Sequence, residues 1–114
     1  MHELSIAHSI LTIAENAIPP GCTAPVKVVG LQIGALSGIE LSSLEFAFSV
    51  IKADTLLQHA VLEIEIIPGE AVCTTCDSVF PLDNYGTCCP RCNGYSMKIL
   101  KGREVKVLNI IVDE

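Results

Sequence analysis

Four of the six cysteines stand as two tight pairs, Cys73-Thr-Thr-Cys76 and Cys89-Pro-Arg-Cys92, with twelve residues between them. Each CxxC turn aims a pair of thiolates at one point. Two such turns complete a tetrahedral shell of soft ligands, the donor set of a structural zinc site. A closed shell leaves no position for water or substrate, so the chemistry is that of a staple and not of a catalyst. Iron in a rubredoxin-like site uses the same four thiolates, and the segment CPRCNG has that form. A disulfide framework is the other use of six cysteines. The opening MHELSIAHS carries an early glutamate and neither lysine nor arginine, so it does not read as a signal peptide. Paired CxxC turns without one suit a reducing, cytoplasmic compartment. Cys88 stands beside Cys89, but only Cys89 keeps the two-residue spacing to Cys92. Cys22 follows a proline pair in a loop and reads as a bystander.

The second candidate lies at the other end. His2 adjoins Met1 and Glu3. Initiator methionine is removed ahead of small residues, so Met1 is expected to stay. Its amine, the His2 amide nitrogen and the His2 imidazole can close fused chelate rings on one metal ion. Glu3 adds an amide nitrogen or a carboxylate. Nitrogen donors in a plane suit Ni(II) or Cu(II). The alternative is a plain surface histidine, which is the reading for His8, on a polar helix stripe, and for His59, in a polar turn.

These residues need elements to hold them. The chain has 114 residues, half of them hydrophobic, no tryptophan and a formal charge of −6. That length allows one small domain plus a module with little core of its own, which a metal would staple. The acidic balance lacks the footprint that attracts nucleic-acid phosphates. No apolar run approaches the length of a bilayer span. The pattern over 4–18 predicts a helix. Ser5, His8, Ser9, Thr12, Glu15 and Asn16 form its polar stripe, and the opposite face is broadly apolar from Leu4 to Ala17. Pro19-Pro20-Gly21 stops it. Residues 26–36 alternate as a strand with one packed face. The serines at 37 and 42–43 match capping boxes, so a second helix starts near 39–43 and buries Leu44, Ala47, Phe48 and Ile51. A further strand covers 60–67, and a last one covers 103–112.

The expected fold is therefore α+β: two helices on a small three-stranded mixed sheet, with an inserted four-cysteine, zinc-ribbon-like module. A parallel crossover should join the first two strands. The α/β domain takes 1–69 and 101–114, and the zinc-binding domain takes 70–100. The Gly/Gln face of the first strand leaves a monomer or a weak homodimer open.

With both metal features in view, the chain resembles the HypA family of nickel-insertion metallochaperones. The likeness runs through MHELSIAHSIL, IGALSGIE, the FAF at 46–48, the Thr55–Ala60 region, the strand ending IIP, both CxxC turns and the closing GREVKV. It covers essentially the whole chain. It implies a nickel domain with Met1, His2 and Glu3 as the nickel motif, His2 being the essential ligand. It implies Cys73, Cys76, Cys89 and Cys92 as ligands of a structural zinc. It also implies a HypB-type GTPase as partner, the large hydrogenase subunit as client and, in some organisms, urease. No nucleophile–base pair or substrate pocket is evident in the sequence, so no enzyme activity is expected. Some members carry a histidine two residues after each CxxC turn, linked to pH-dependent changes at the zinc; here those positions are Ser78 and Gly94. The usual Glu-Pro ahead of the second helix is Glu40-Leu41 here. The rival reading is a zinc-ribbon module that binds protein or nucleic acid without any role in nickel traffic.

Overall fold

The structure, a computed structural model, describes residues 2–113. Helix α1 runs His2–Ala17 and α2 runs Leu41–Ile51. Six strands follow in chain order: β1 Val26–Gly34, β2 Val61–Ile67, β3 Glu70–Cys73, β4 Val79–Pro81, β5 Met97–Lys101 and β6 Val105–Val112. They form two three-stranded sheets, ordered β2-β1-β6 and β4-β3-β5. The chain divides into two compact units. The first holds 1–31, 39–65 and 106–114, and the second holds 32–38 and 66–105.

In the first unit, α1 packs against α2. The buried stripe of α1 is Ala7, Ile10, Leu11 and Ala14, one face at helical spacing. It is narrower than the sequence pattern suggests, because Leu4 and Ile13 stay 41% and 50% exposed. On α2 the buried residues are Leu44 and Phe48. The strand directions follow from hydrogen bonds at the strand ends. The Ala35 N–H donates to the Ile67 carbonyl, joining the C-terminal ends of β1 and β2, so these two run parallel. The Gly34 N–H donates to Glu104 and the Asp113 N–H to Pro25, so β6 runs antiparallel to β1. The sheet is mixed.

Strand β1 is central, and its burial departs from a single packed face. Gly30 and Gly34 are buried together with Val29, Leu31 and Ile33. The two glycines are there because neighbours crowd the backbone. A Cβ on Gly30 would stand 2.5 Å from the Asn109 carboxamide oxygen, and one on Gly34 would stand 1.9 Å from the Gly102 carbonyl oxygen. Gly102 itself has φ +115°, a conformation open to glycine. The Leu36 N–H donates to that same Gly102 carbonyl.

The second unit contains the three short strands that sequence periodicity did not reveal. β3 pairs antiparallel with β4 and with β5, and a register irregularity lies between Glu70 and Ala71. Its core is small: Leu36, Ala71, Phe80 and Leu82, plus two of the cysteines, Cys73 and Cys89. Met97 and Ile99 pack against it from β5.

The contact at Gly34 leads to a prediction. Gly34→Ala should destabilise the protein by about 2–3 kcal/mol, because the new methyl meets backbone and not a movable side chain. Urea denaturation measures this, and an unchanged midpoint would mean the strand shifts freely.

Candidate metal centre

Each CxxC turn is built by the same local rule. In the first, the Cys73 N–H donates to the Ser78 carbonyl at 2.8 Å and the Asp77 N–H donates to the Cys73 carbonyl at 2.9 Å. In the second, the Cys89 N–H donates to the Gly94 carbonyl at 2.8 Å and the Asn93 N–H donates to the Cys89 carbonyl at 2.8 Å. Both turns close through a residue at φ 62°, Asp77 and Asn93. Asp and Asn tolerate that left-handed conformation better than other side chains. The two halves therefore share one backbone pattern.

Their sulfurs meet crosswise. Cys73 Sγ lies 3.5 Å from Cys92 Sγ, and Cys76 Sγ lies 3.6 Å from Cys89 Sγ. All four sulfurs fall within 4.8 Å of one another. A tetrahedron of sulfurs each about 2.3 Å from zinc has edges of about 3.8 Å, so the cluster fits such an ion. Cys89, not Cys88, belongs to it, and Cys22 and Cys88 are free thiols outside it. The donor set is four soft thiols, which suits zinc and leaves no open coordination position.

The electrostatics ask for a cation. The Ser78 hydroxyl and then its backbone N–H bring Cys76 down to about 6. Backbone N–H groups of Cys76 and Thr75 also lower Cys73. Cys92 goes the other way. The Gly94 backbone N–H favours its thiolate, but Cys73, burial and the remaining two sulfurs together push it up to about 12. One thiol ionises easily and the last resists, as repulsion among crowded thiolates requires. A divalent ion at the centre removes that repulsion. Ser78 and Gly94 occupy positions directly against the sulfurs: the Ser78 hydroxyl lies 3.3 Å from Cys76 Sγ, and a Cβ on Gly94 would stand 3.3 Å from Cys92 Sγ.

At the other candidate site, Met1 lies outside the described residues, and so does the side chain of His2. The backbone of α1 is described from His2 onward, and Glu3 lies in its first turn. The Glu3 carboxylate oxygen Oε2 accepts the Glu40 N–H at 3.2 Å. Glu40 is the N-cap of α2, and its Oε1 accepts from the Ser43 N–H at 3.0 Å. The hydroxyls of Ser42 and Ser43 donate to the same oxygen. The cap is thus Glu40 and not one of the serines expected from the capping boxes. A glutamate is a rare cap, but here the serines that follow supply three donors to one carboxylate oxygen. The Glu3–Glu40 contact has no signature in the sequence, since its partners are 37 residues apart. Beside it an open groove of about 600 Å³ runs between α1 and α2, with Leu4, Phe46 and Val50 among its walls. His8 and His59 are exposed and stand in no metal cluster among the described residues.

Known proteins share this architecture. A family model for hydrogenase/urease nickel-incorporation metallochaperones, HypA, matches residues 1–112. A hydrogenase maturation factor HypA from Parabacteroides distasonis is 38% identical over 98% of this chain and 97% of its own length. One from Geobacter metallireducens is 39% identical over 99% of this chain and all of its own length, and one from Roseiflexus sp. is 44% identical over 94% and 88%. Among solved structures, a HypA protein in solution aligns at TM-score 0.68 with 28% identity, covering 98% of this chain and 96% of its own. The solution structure of the Ni metallochaperone HypA from Helicobacter pylori shares the fold at TM-score 0.69 with 24% identity, covering 98% and 97%.

Two predictions follow from this geometry. Stripping metal with a strong chelator should collapse the chemical-shift dispersion of 66–105, because two of that unit's six core residues are the cysteines themselves. Reloading zinc at neutral pH should release the Cys92 proton, read with a pH indicator; loading without proton release would contradict a four-thiolate site. Separately, hydrogen bonds from Ser42, then Ser43, hold the Glu40 carboxyl below its ordinary pKa. A lowered folded pKa stabilises above the unfolded value and loses that stabilisation as pH falls through the folded one. Glu40→Gln should therefore lower Tm at neutral pH, with the deficit closing in acid. A deficit independent of pH would point to packing instead.

Proposed function

Because this chain belongs to the HypA family of hydrogenase and urease nickel-incorporation metallochaperones, we propose that its N-terminus captures Ni(II) and passes it on during maturation of nickel–iron hydrogenase. The ligands are the Met1 amine, His2 and Glu3, in a planar arrangement rich in nitrogen. The α/β domain, 1–69 and 101–114, carries the nickel. The zinc-binding domain, 70–100, keeps its metal and holds shape.

The observation that carries this reading is the start of α1 at His2. The first four N–H groups of a helix have no carbonyl partner within it. The amide nitrogens of His2 and Glu3 belong to that set. Nickel can claim them without breaking a helical hydrogen bond. A binding motif further along the helix would unwind a turn. The Glu3 carboxylate already accepts from Glu40 through one oxygen, which leaves its other oxygen and its amide for the metal. An ion held at a helix end by short chelate rings is also easily handed over, as cargo must be.

Zinc and nickel do not compete in this scheme. Four thiolates in a tetrahedron suit one, and planar nitrogens suit the other. On this reading the partners are a HypB-type GTPase and the large hydrogenase subunit, with urease as a further client in some settings. The protein works in the cytoplasm as a monomer or weak homodimer. No helix among the described residues is long and apolar enough to cross a membrane. The net charge of −6 gives nucleic acid no electrostatic reason to bind. The proposal assigns the chain no catalysis of its own.

Nickel titration of the zinc-loaded protein tests it. His2→Ala should weaken nickel binding by more than roughly 100-fold, beyond the effect of losing an outer-shell partner. Its circular dichroism and zinc content should be unchanged. An N-terminal extension that blocks the Met1 amine should weaken binding as well. Unaltered nickel affinity in His2→Ala would sink the assignment.

A further inference from the structure

The outer edge of β5 is open. In the order β4-β3-β5, no strand lies beyond it among the described residues. The register fixes which of its groups face outward. The Thr74 N–H donates to the Ser96 carbonyl at 3.0 Å, so hydrogen-bonded pairs alternate from there and Val72–Lys98 is the next. Met97 and Ile99, opposite Cys73 and Ala71, therefore turn their N–H and C=O groups away from β3. The Cys73 N–H confirms the phase, since it points the other way and donates to Ser78.

An open groove of about 530 Å³ runs along this edge, lined by Tyr85, Tyr95, Met97, Lys98, Ile99 and Arg103. In a chain of net charge −6, this lining holds two cations and no carboxylate. Arg103 is held in place. Its guanidinium lies 5.7 Å from the centre of the Tyr85 ring, and its Nε donates to the Tyr85 hydroxyl at 3.3 Å. That hydroxyl in turn donates to the Leu36 carbonyl at 2.9 Å. A guanidinium stacked and tethered through Nε has its Nη groups as further donors, the pair that suits a carboxylate. Tyr95 is 71% exposed and offers an apolar face beside it.

We propose that this edge docks an extended acidic segment of a protein partner. The segment adds a strand through the backbone of Met97 and Ile99 and seats a carboxylate on Arg103. Three features choose this occupant. Outward N–H and C=O groups together match a peptide backbone, whereas nucleic-acid phosphates only accept. The cations Lys98 and Arg103 match acid. A second copy pairing β5 to β5 with Met97 opposite Ile99 would set Lys98 against Lys98, which edge lysines resist. Lys101 is not counted toward the seat, because Glu70 stands opposite it in the register. The proposal is independent of nickel binding.

The test is a ¹⁵N chemical-shift titration of the zinc-loaded full chain. The probe is a capped peptide of alternating valine and glutamate, set against its valine–lysine counterpart and against single-stranded oligothymidylate. The Met97 and Ile99 amides should move saturably with the acidic peptide alone, and added salt should weaken the binding. Arg103→Gln, at an exposed position, should weaken it roughly five- to tenfold. Tyr85→Phe keeps the ring, frees the guanidinium and should cost less. Four results would each overturn the proposal: no movement of these amides at millimolar peptide, equal response to the lysine peptide, preferred binding of the oligonucleotide, or shifts driven by protein concentration without peptide.

Discussion

Four sulfurs within 4.8 Å of one another cannot all carry charge without a cation among them. That constraint governs the second unit. Its strands are four, three and five residues long. Strands that short bury little apolar surface of their own. Two of the cysteines are also two of its core residues, so a metal held there and the apolar contacts would stabilise the same few side chains. The matching backbone hydrogen bonds of the two CxxC turns aim each thiol pair inward. A bound ion would supply the charge balance and the cohesion that these short strands lack.

The N-terminal candidate works by the opposite logic. It sits where a helix has spare backbone groups, and its neighbours are a glutamate and the cap of a second helix. Glu3 joins α1 to α2 through one hydrogen bond to the Glu40 N–H. Glu40 then organises the first turn of α2 through Ser42 and Ser43. A residue of the proposed nickel motif thus also has a structural task. The two metal assignments differ in kind: one is enclosed by its own turns, while the proposed nickel site stands at the end of a helix.

What could be read from sequence followed the range of the interactions. The CxxC pairs were legible because the spacing that makes a ligand turn is local. Helices α1 and α2, and strands β1, β2 and β6, were legible because each is long enough to show its period. The strands of the second unit were not, since Val79–Pro81 is too short for alternation to register and its stability comes from outside its own residues. The double coverage of β1 was hidden because Gly30 and Gly34 look like a polar face until Asn109 and Gly102 are seen to crowd them. Glu40 was missed as a cap because its donors come after it and its role is set by them. The family likeness reached Met1, His2 and Glu3 as a motif, but the tie from Glu3 to Glu40 required the fold.

The four sulfurs are unequally sheltered. Cys73 and Cys89 are buried, Cys76 is intermediate and Cys92 is exposed. Each crosswise contact joins one buried sulfur to a more accessible one. The centre accordingly has a mouth and a floor. An incoming chelator meets Cys92 first and the two buried thiolates last. How tightly the ion is held in the end and how fast it can be taken away are then set by different cysteines. A member of a nickel-handling family can keep an ion of its own through slow exchange as well as through affinity.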